Sequence, residues 1–318
     1  MITTSVDTDQ FLYVEKYRPQ KISECVLPAG LKKTFQDMVD SGQCQNLLLA
    51  GGPGCGKTTV ARALCNEMGN DYIIINCSED GNIDTLRTRI RNFASTVSFE
   101  GNTKVVILDE FDYSNPQSTQ PALRGFIEEF AKNCRFILTC NYKNRIIEPL
   151  HSRCTCIDFK FNGDDKMAMC AEFLERLHFI LGAEEIIFDE KVLAKFIVKH
   201  SPDFRRLLNE LQRYSIRGAI DSGILSESGD IVLKDLLKAM KSKDFVAVRK
   251  WVVTNINNDS VHIFRKIYDG LSEHFDPTTI PQAILILAEY QYKAAFVADV
   301  EINLTACLTQ LMIDCQVK

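Results

Sequence analysis

The chain carries a single tryptophan, nine prolines and no Cys-x-x-Cys pair among its twelve cysteines. Those cysteines are scattered, and the five histidines show no ligand spacing, so a structural zinc site or a disulfide framework is not expected. Several cysteines (Cys65, Cys140, Cys170) sit inside apolar runs, where a free thiol behaves as a small buried hydrophobe. Long apolar runs are missing too. The longest uncharged stretch, Ser41 to Gly56, has 16 residues and is broken by glycines, short of the ~20 mainly apolar residues a membrane span needs. Nor is there an excess of basic charge: 37 Lys and Arg against 42 Asp and Glu give a net charge of −5 and a pI near 5.7. Any contact with nucleic acid must then come from a local basic patch rather than from the whole surface. The opening MITTSVDTDQF lacks the basic start and apolar core of a signal peptide, so a soluble, cytoplasmic chain with reduced thiols and no membrane partner is expected.

What is present is a globular composition, 46% hydrophobic and 25% charged over 318 residues. That length exceeds the ~250–300 residues at which one core stops growing, which implies two or three domains. In the first half, NLLLA (46–50), YIIIN (72–76), KVVILD (104–109), RFILT (135–139) and TCIDF (155–159) are short, almost purely apolar runs separated by helical patterns. Such runs suit strands buried on both faces of a parallel sheet. After Phe161 the pattern turns helical, with segments at 164–182, 189–200 and 203–218 forming a three-helix unit. The polar SESGD (226–230) precedes a last helical block, in which Val261, Phe264, Ile267, Tyr268 and Leu271 recur at helical spacing. The expected division is 1–160, 161–230 and 231–318.

Gly51-Gly52-Pro53-Gly54-Cys55-Gly56-Lys57-Thr58 satisfies G-x-x-x-x-G-K-[ST], directly after one apolar run and before the helical TTVARALCNEM. The glycines let backbone N–H groups turn inward around phosphate, and the helix that opens with Lys57, Thr58 and Thr59 adds its positive dipole end. Lys57 is placed to reach the β- and γ-phosphates of ATP, and the Thr58 hydroxyl to ligate Mg²⁺. Val105-Val106-Ile107-Leu108-Asp109-Glu110 supplies the partner feature. Alone, Asp-Glu after a strand is more often a solvated strand end. About 50 residues after a phosphate loop it reads as a Mg²⁺ carboxylate, Asp109, and a base for the attacking water, Glu110. Water rather than a small acceptor then makes this an ATP hydrolase.

With these residues in hand the sequence resembles the AAA+ ATPases, and among them the sliding-clamp loader subunits of the T4-type bacteriophage kind, over almost its whole length. The resemblance is carried by Glu15-Lys16-Tyr17-Arg18-Pro19 with Glu24-Cys25-Val26, by Leu138-Thr139-Cys140-Asn141, by Ser152-Arg153-Cys154, by Pro202-Asp203-Phe204-Arg205-Arg206 and by Thr119-Gln120-Pro121-Ala122-Leu123-Arg124. It implies an AAA+ α/β domain with a five-stranded parallel sheet, a three-helix lid and a helical collar. It also implies that Tyr17, Arg18 and Val26 lie near the adenine and that Asn141, as sensor 1, polarises the water or γ-phosphate. Arg205, as sensor 2, would report on the γ-phosphate, and Arg153 would enter the ATP site of a neighbouring copy. The 119–124 segment would link the nucleotide and DNA sites. A finger of this kind is worth roughly 10³–10⁵ in rate.

Residues 82–93 form the most basic amphipathic helix pattern, with Ile83, Leu86, Ile90 and Phe93 on one face and Arg87 and Arg91 as i,i+4 neighbours beside it. A solvated charged face is the plain reading. The resemblance turns Arg87 and Arg91 toward DNA phosphates, with sequence-independent, salt-sensitive contacts. The helix start Ser114–Thr119, including Asn115 and Ser118, is expected to add backbone N–H contacts to phosphate. Asn82, where many relatives carry a basic residue, weakens one such contact. Val97 and Phe99 are candidate apolar anchors for a sliding clamp, or equally core. The implied partners are copies of the chain in a ring or spiral, a smaller non-ATPase subunit, the clamp and primer–template DNA, in a host cytoplasm if the chain is viral. Another AAA+ DNA machine, such as a branch-migration or helicase-loading ATPase, remains the alternative, with a non-hydrolysing ATP-binding subunit as a third.

Overall fold

The computed structural model describes residues 10–79, 83–96, 103–227, 233–255, 260–294 and 296–318. Asn82, Val97 and Phe99 lie outside them. The chain forms two compact units, one ending at Leu225 and the other starting at Ser226.

The first unit is built on five parallel strands: β1 (Leu47–Gly51), β2 (Tyr72–Asn76), β3 (Lys104–Asp109), β4 (Cys134–Cys140) and β5 (Thr155–Phe159), in the order β2-β3-β4-β1-β5. Side chains alternate across a strand, so each apolar run divides between two cores. Leu47, Leu49, Val105, Ile107, Ile137 and Ile157 face one, with Phe35 and Leu64 from helices α2 (Ala29–Ser41) and α3 (Lys57–Glu67). Leu48, Val106, Leu108, Phe136 and Leu138 face the other, with Leu86 and Ile90 of α4 (Ile83–Ala94) and Leu123 and Phe126 of α5 (Thr119–Glu129). Burial on both faces is why the inner strands β1, β3 and β4 read as near-continuous apolar runs. The short α1 (Tyr13–Lys16) precedes the sheet, and α6 (Glu148–His151) leads into β5.

Beyond β5 come α7 (Gly163–Ala183), α8 (Glu190–His200) and α9 (Phe204–Ser215), around a core of Phe173, Leu177, Phe196 and Leu207 that also takes in Tyr13 and Tyr17. Their starts are written in the sequence. Asn162 and Asp165 make a reciprocal capping box on α7, while Asp189 and Asp203 accept backbone N–H groups at the starts of α8 and α9. No apolar alternation points to strands here, yet β6 (Ile187–Phe188) and β7 (Ala219–Ile220) pair in parallel. Two-residue strands are too short to show any alternation. A short α10 (Gly223–Glu227) follows.

The second unit is helical: α11 (Leu233–Lys241), α12 (Phe245–Asn255), α13 (Ser260–Asp269), α14 (Leu271–His274), α15 (Ile280–Ala294) and α16 (Val300–Asp314). Trp251, Phe264, Ile267, Phe275, Ile286, Leu304 and Leu308 fill its core. All twelve cysteines of the chain are free, and all but Cys156 are buried. No helix among the described residues is long and apolar enough to cross a membrane.

Candidate nucleotide-binding site

In an open parallel sheet, ligands bind beyond the carboxyl ends of the strands where the strand order reverses. Here that place is the end of β1, flanked by β4 and followed by the loop into α3. Two glycines of this loop are required by its shape. Gly54 and Gly56 have φ of +71° and +92°, and a Cβ on Gly54 would overlap Oδ1 of Asp203, the residue that caps α9. The loop is therefore closed down against the start of the last lid helix.

Lys57 is buried, and its ammonium donates to the carbonyls of Gly51 (2.8 Å) and Gly52 (2.7 Å) and to Oδ1 of Asn141 (3.0 Å). An ammonium has three donors, and these acceptors take all three. They are neutral, so a phosphate anion entering the loop would compete with stronger, charge-assisted bonds. Beside it, Oδ1 of Asp109 accepts from the hydroxyls of Thr58 (2.7 Å) and Thr139 (2.5 Å). The Thr139 hydroxyl also accepts from the backbone N–H of Glu110 (3.1 Å), whose φ of +53° turns the chain away from β3. A hydroxyl next to a carboxylate is the hard oxygen set that suits Mg²⁺, so the residues present fit that ion.

Asn141 is held from behind. Its own N–H and that of Tyr142 donate to Oδ2 of buried Asp112 (3.3 and 3.1 Å), while Oδ1 of Asp112 has no hydrogen-bond partner among the described residues. Burial pushes the Cys55 thiol up despite the Lys57 charge beside it.

A cleft opens next to this cluster. Its lining includes Gly54, Cys55, Gly56, Lys57, Thr58 and Thr59 from the loop, Val14, Tyr17, Arg18 and Val26 from the N-terminal segment, and Phe173, Arg176, Phe204, Arg205 and Leu208 from the lid. Gly52, Pro53 and Asn141 do not line the cleft itself; Gly52 and Asn141 meet it through Lys57. Tyr17 is buried, its phenol donating to Glu184, which also takes Lys16 at 2.7 Å. Burial and the Glu184 carboxylate together push the Tyr17 phenol far up. Arg18 reaches the Thr59 hydroxyl (3.1 Å) and pairs with Glu15. That pairing, which outweighs burial, holds the Glu15 carboxyl below the usual range, and the charges of Arg62 and Arg205 add to it. Arg176 of α7 spans the gap between lid and N-terminal segment, donating to the carbonyls of Tyr17 (2.6 Å) and Glu24 (3.0 Å).

Other expected residues lie apart. Arg153 is not among the cleft-lining residues and instead pairs with Glu128 of α5. Arg87 and Arg91 are exposed and border a groove with Ala122, Gly125, Phe126 and Glu129, in which Arg91 lies 5.7 Å from the Phe126 ring centroid. At the start of α5, where phosphate contacts are expected, the amides are capped from within. Asn115 Oδ1 accepts the N–H groups of Gln117 (2.8 Å) and Ser118 (3.2 Å), and its carbonyl accepts those of Thr119 and Gln120. The side chain and carbonyl that cap the turn thus occupy the amides expected to meet phosphate.

Sequence reasoning passed over Thr139, Asp112, Arg176 and Glu128 as working groups. Thr139 lies within Leu138-Thr139-Cys140-Asn141, but its role exists only because β3 and β4 are neighbours. It missed the detail of Gln120 as well. This fully buried side chain donates to the carbonyls of Ser114 (3.3 Å) and Arg145 (3.0 Å) and accepts from Ile147 N–H (2.9 Å).

Comparison with known proteins agrees with this layout. The ATPase family associated with various cellular activities (AAA) matches residues 47–162, and the sliding-clamp-loader large subunit AAA+ ATPase lid domain matches residues 165–226. The sliding-clamp-loader large subunit of Enterobacteria phage T4 is 36% identical over 100% of both chains. The chain belongs to the sliding-clamp-loader large-subunit family of AAA ATPases. Its counterpart from Escherichia phage RB69 is 41% identical over 78% of each chain. Among solved structures, the RuvB Holliday junction branch migration motor of Thermotoga maritima superposes with a TM-score of 0.54 at 18% identity, over 80% of this chain and 79% of that one. That likeness is one of AAA+ fold alone. As a member of its family the chain is an ATP hydrolase, built from an AAA+ domain, a lid and a helical C-terminal region.

Proposed function

We propose that the chain is the ATP-hydrolysing subunit of a clamp loader, working in the host cytoplasm. ATP binding orders copies of it, with a smaller non-ATPase subunit, into a ring or spiral that opens a sliding clamp. Primer–template DNA then triggers hydrolysis, and the closed clamp is released. Residues 1–160, 161–230 and 231–318 serve as ATPase domain, lid and collar.

The observation that carries this reading is the pairing of Lys57 with Asn141 and of Asp109 with Thr58 and Thr139 beside a cleft walled by the lid. In it, the backbone of Gly52–Thr59 cradles the phosphates, and Lys57 moves its bonds from carbonyls to phosphoryl oxygens. The adenine lies toward Tyr17, Arg18 and Val26. Mg²⁺, held by Thr58 and Asp109, would offset phosphate charge when bound. Glu110 orients the attacking water and takes its proton as the water oxygen bonds to the γ-phosphorus and the bridging P–O bond breaks. Asn141 and Arg205 hold the γ-phosphoryl oxygens, and Arg153 reaches the site of the next copy. Arg87 and Arg91 contact DNA phosphates.

Steady-state ATPase of the chain with its small partner subunit tests this, with and without clamp and primer–template DNA. Strong stimulation by clamp and DNA together is expected. Stimulation by DNA with no clamp effect would point instead to another AAA+ DNA machine.

A further inference from the structure

Arg153 follows α6, while Glu128 stands in the last turn of α5, so their meeting is tertiary. The Nε and Nη2 of Arg153 both donate to Oε1 of Glu128, at 3.0 and 2.7 Å, and Nη1 donates to the Pro149 carbonyl at 2.9 Å. A guanidinium carries five N–H donors in one plane: one on Nε and two on each terminal nitrogen. Three are used here. The two that remain are one on Nη1 and one on Nη2, a pair that can meet a phosphoryl oxygen. The side chains of Arg153 and Glu128 are 30% and 58% exposed. Exposed ion pairs contribute little to stability, so the fold has small use for this one.

We propose that Glu128 is a positioning residue for Arg153: it grips one side of the guanidinium so that a neighbouring copy meets an arginine already oriented toward its γ-phosphate. The proposal rests on the reading that Arg153 acts across an interface. Orientation matters because a misplacement of ~1 Å in a reacting arrangement can cost about 100-fold in rate. A carboxylate beside the arginine also offsets part of its charge. Were Glu128 only a latch that hides Arg153, its removal would speed hydrolysis. As a positioning residue, its removal slows it.

The experiment uses the assembled complex with clamp and primer–template DNA. Wild-type chains are mixed with an excess of Lys57→Ala chains, so turnover comes from wild-type sites, most of which face a Lys57→Ala neighbour. Light scattering checks that assemblies keep their mass. Adding Glu128→Ala to the Lys57→Ala chain is expected to lower kcat of the wild-type sites about 10-fold, with KM for ATP within about 2-fold. Glu128→Gln in its place keeps the acceptor oxygen and is expected to restore most of the rate. Unchanged or faster turnover with Glu128→Ala overturns the proposal. Arg153→Ala placed in the same Lys57→Ala chain separates the two claims. If Arg153→Ala slows wild-type sites and Glu128→Ala does not, only the positioning role fails; if neither does, the trans reading fails with it.

Discussion

The Nζ of Lys57 lies 3.0 Å from Oδ1 of Asn141, a bond that ties the phosphate loop after β1 to the end of β4. Two elements 84 residues apart in the chain thereby share one ammonium. The bond leaves Lys57 satisfied without phosphate and leaves Asn141 beside the place a γ-phosphate would take.

Lys57→Ala removes the cation at the centre of this cluster of loop and strand-end groups. ATP binding is expected to collapse, and turnover to fall at least about 100-fold, as when a preorganised donor is removed. Equilibrium binding of a fluorescent ATP analogue together with steady-state turnover checks both. Normal turnover would remove the phosphate site from this loop.

Gln120→Ala leaves the Ile147 N–H and the Ser114 and Arg145 carbonyls without their side-chain partner in a buried place. A loss of about 1–3 kcal/mol is expected, because buried polar groups left unpaired cost their desolvation. Urea unfolding reads this as a lower midpoint at unchanged slope.

Glu184 ties the N-terminal segment to the lid. Burial pushes its carboxyl up, but the bonds from Lys16 and Tyr17 outweigh burial and leave it below the ordinary range. A depressed carboxylate contributes stability that is present above its unfolded pKa and is lost as pH falls through the folded one. Wild type is therefore expected to lose more stability than Glu184→Gln as pH is lowered through the carboxylate range. Parallel pH profiles of the thermal midpoint would contradict this.

If Arg87 and Arg91 meet phosphates, replacing both with alanine weakens DNA binding without changing sequence preference. The plot of log affinity against log salt is expected to flatten by about 2, near 0.9 for each duplex phosphate no longer neutralised. An unchanged slope would leave the pair as a solvated face, with long contacts of Arg87 to Asp84 (3.7 Å) and Arg91 to Glu129 (3.8 Å).

Much of this was legible in the sequence, for a physical reason. A strand buried on both faces writes itself as a near-continuous apolar run, as KVVILD does for β3, while YIIIN and TCIDF coincide residue for residue with the edge strands β2 and β5. The phosphate loop was legible because its glycines answer to backbone shape, as Gly54 against Asp203 shows. What stayed hidden depends on which segments become neighbours. Thr139 matters through the pairing of β4 with β3, Arg176 through the approach of α7 to Tyr17, and Glu128 through the packing of α5 near Arg153. The internal cap at the start of α5 was hidden too, because an asparagine side chain can turn back onto its own helix start only once the turn has formed.

The most direct measurement follows ATP turnover per chain while concentration and the small subunit carry the protein from monomer to assembly, with mass read by light scattering. Turnover is expected to rise with assembly, and Arg153→Ala to assemble and bind ATP yet stay about 10³-fold or more below wild type. A monomer that hydrolyses ATP as fast as the assembly would contradict a site completed between copies.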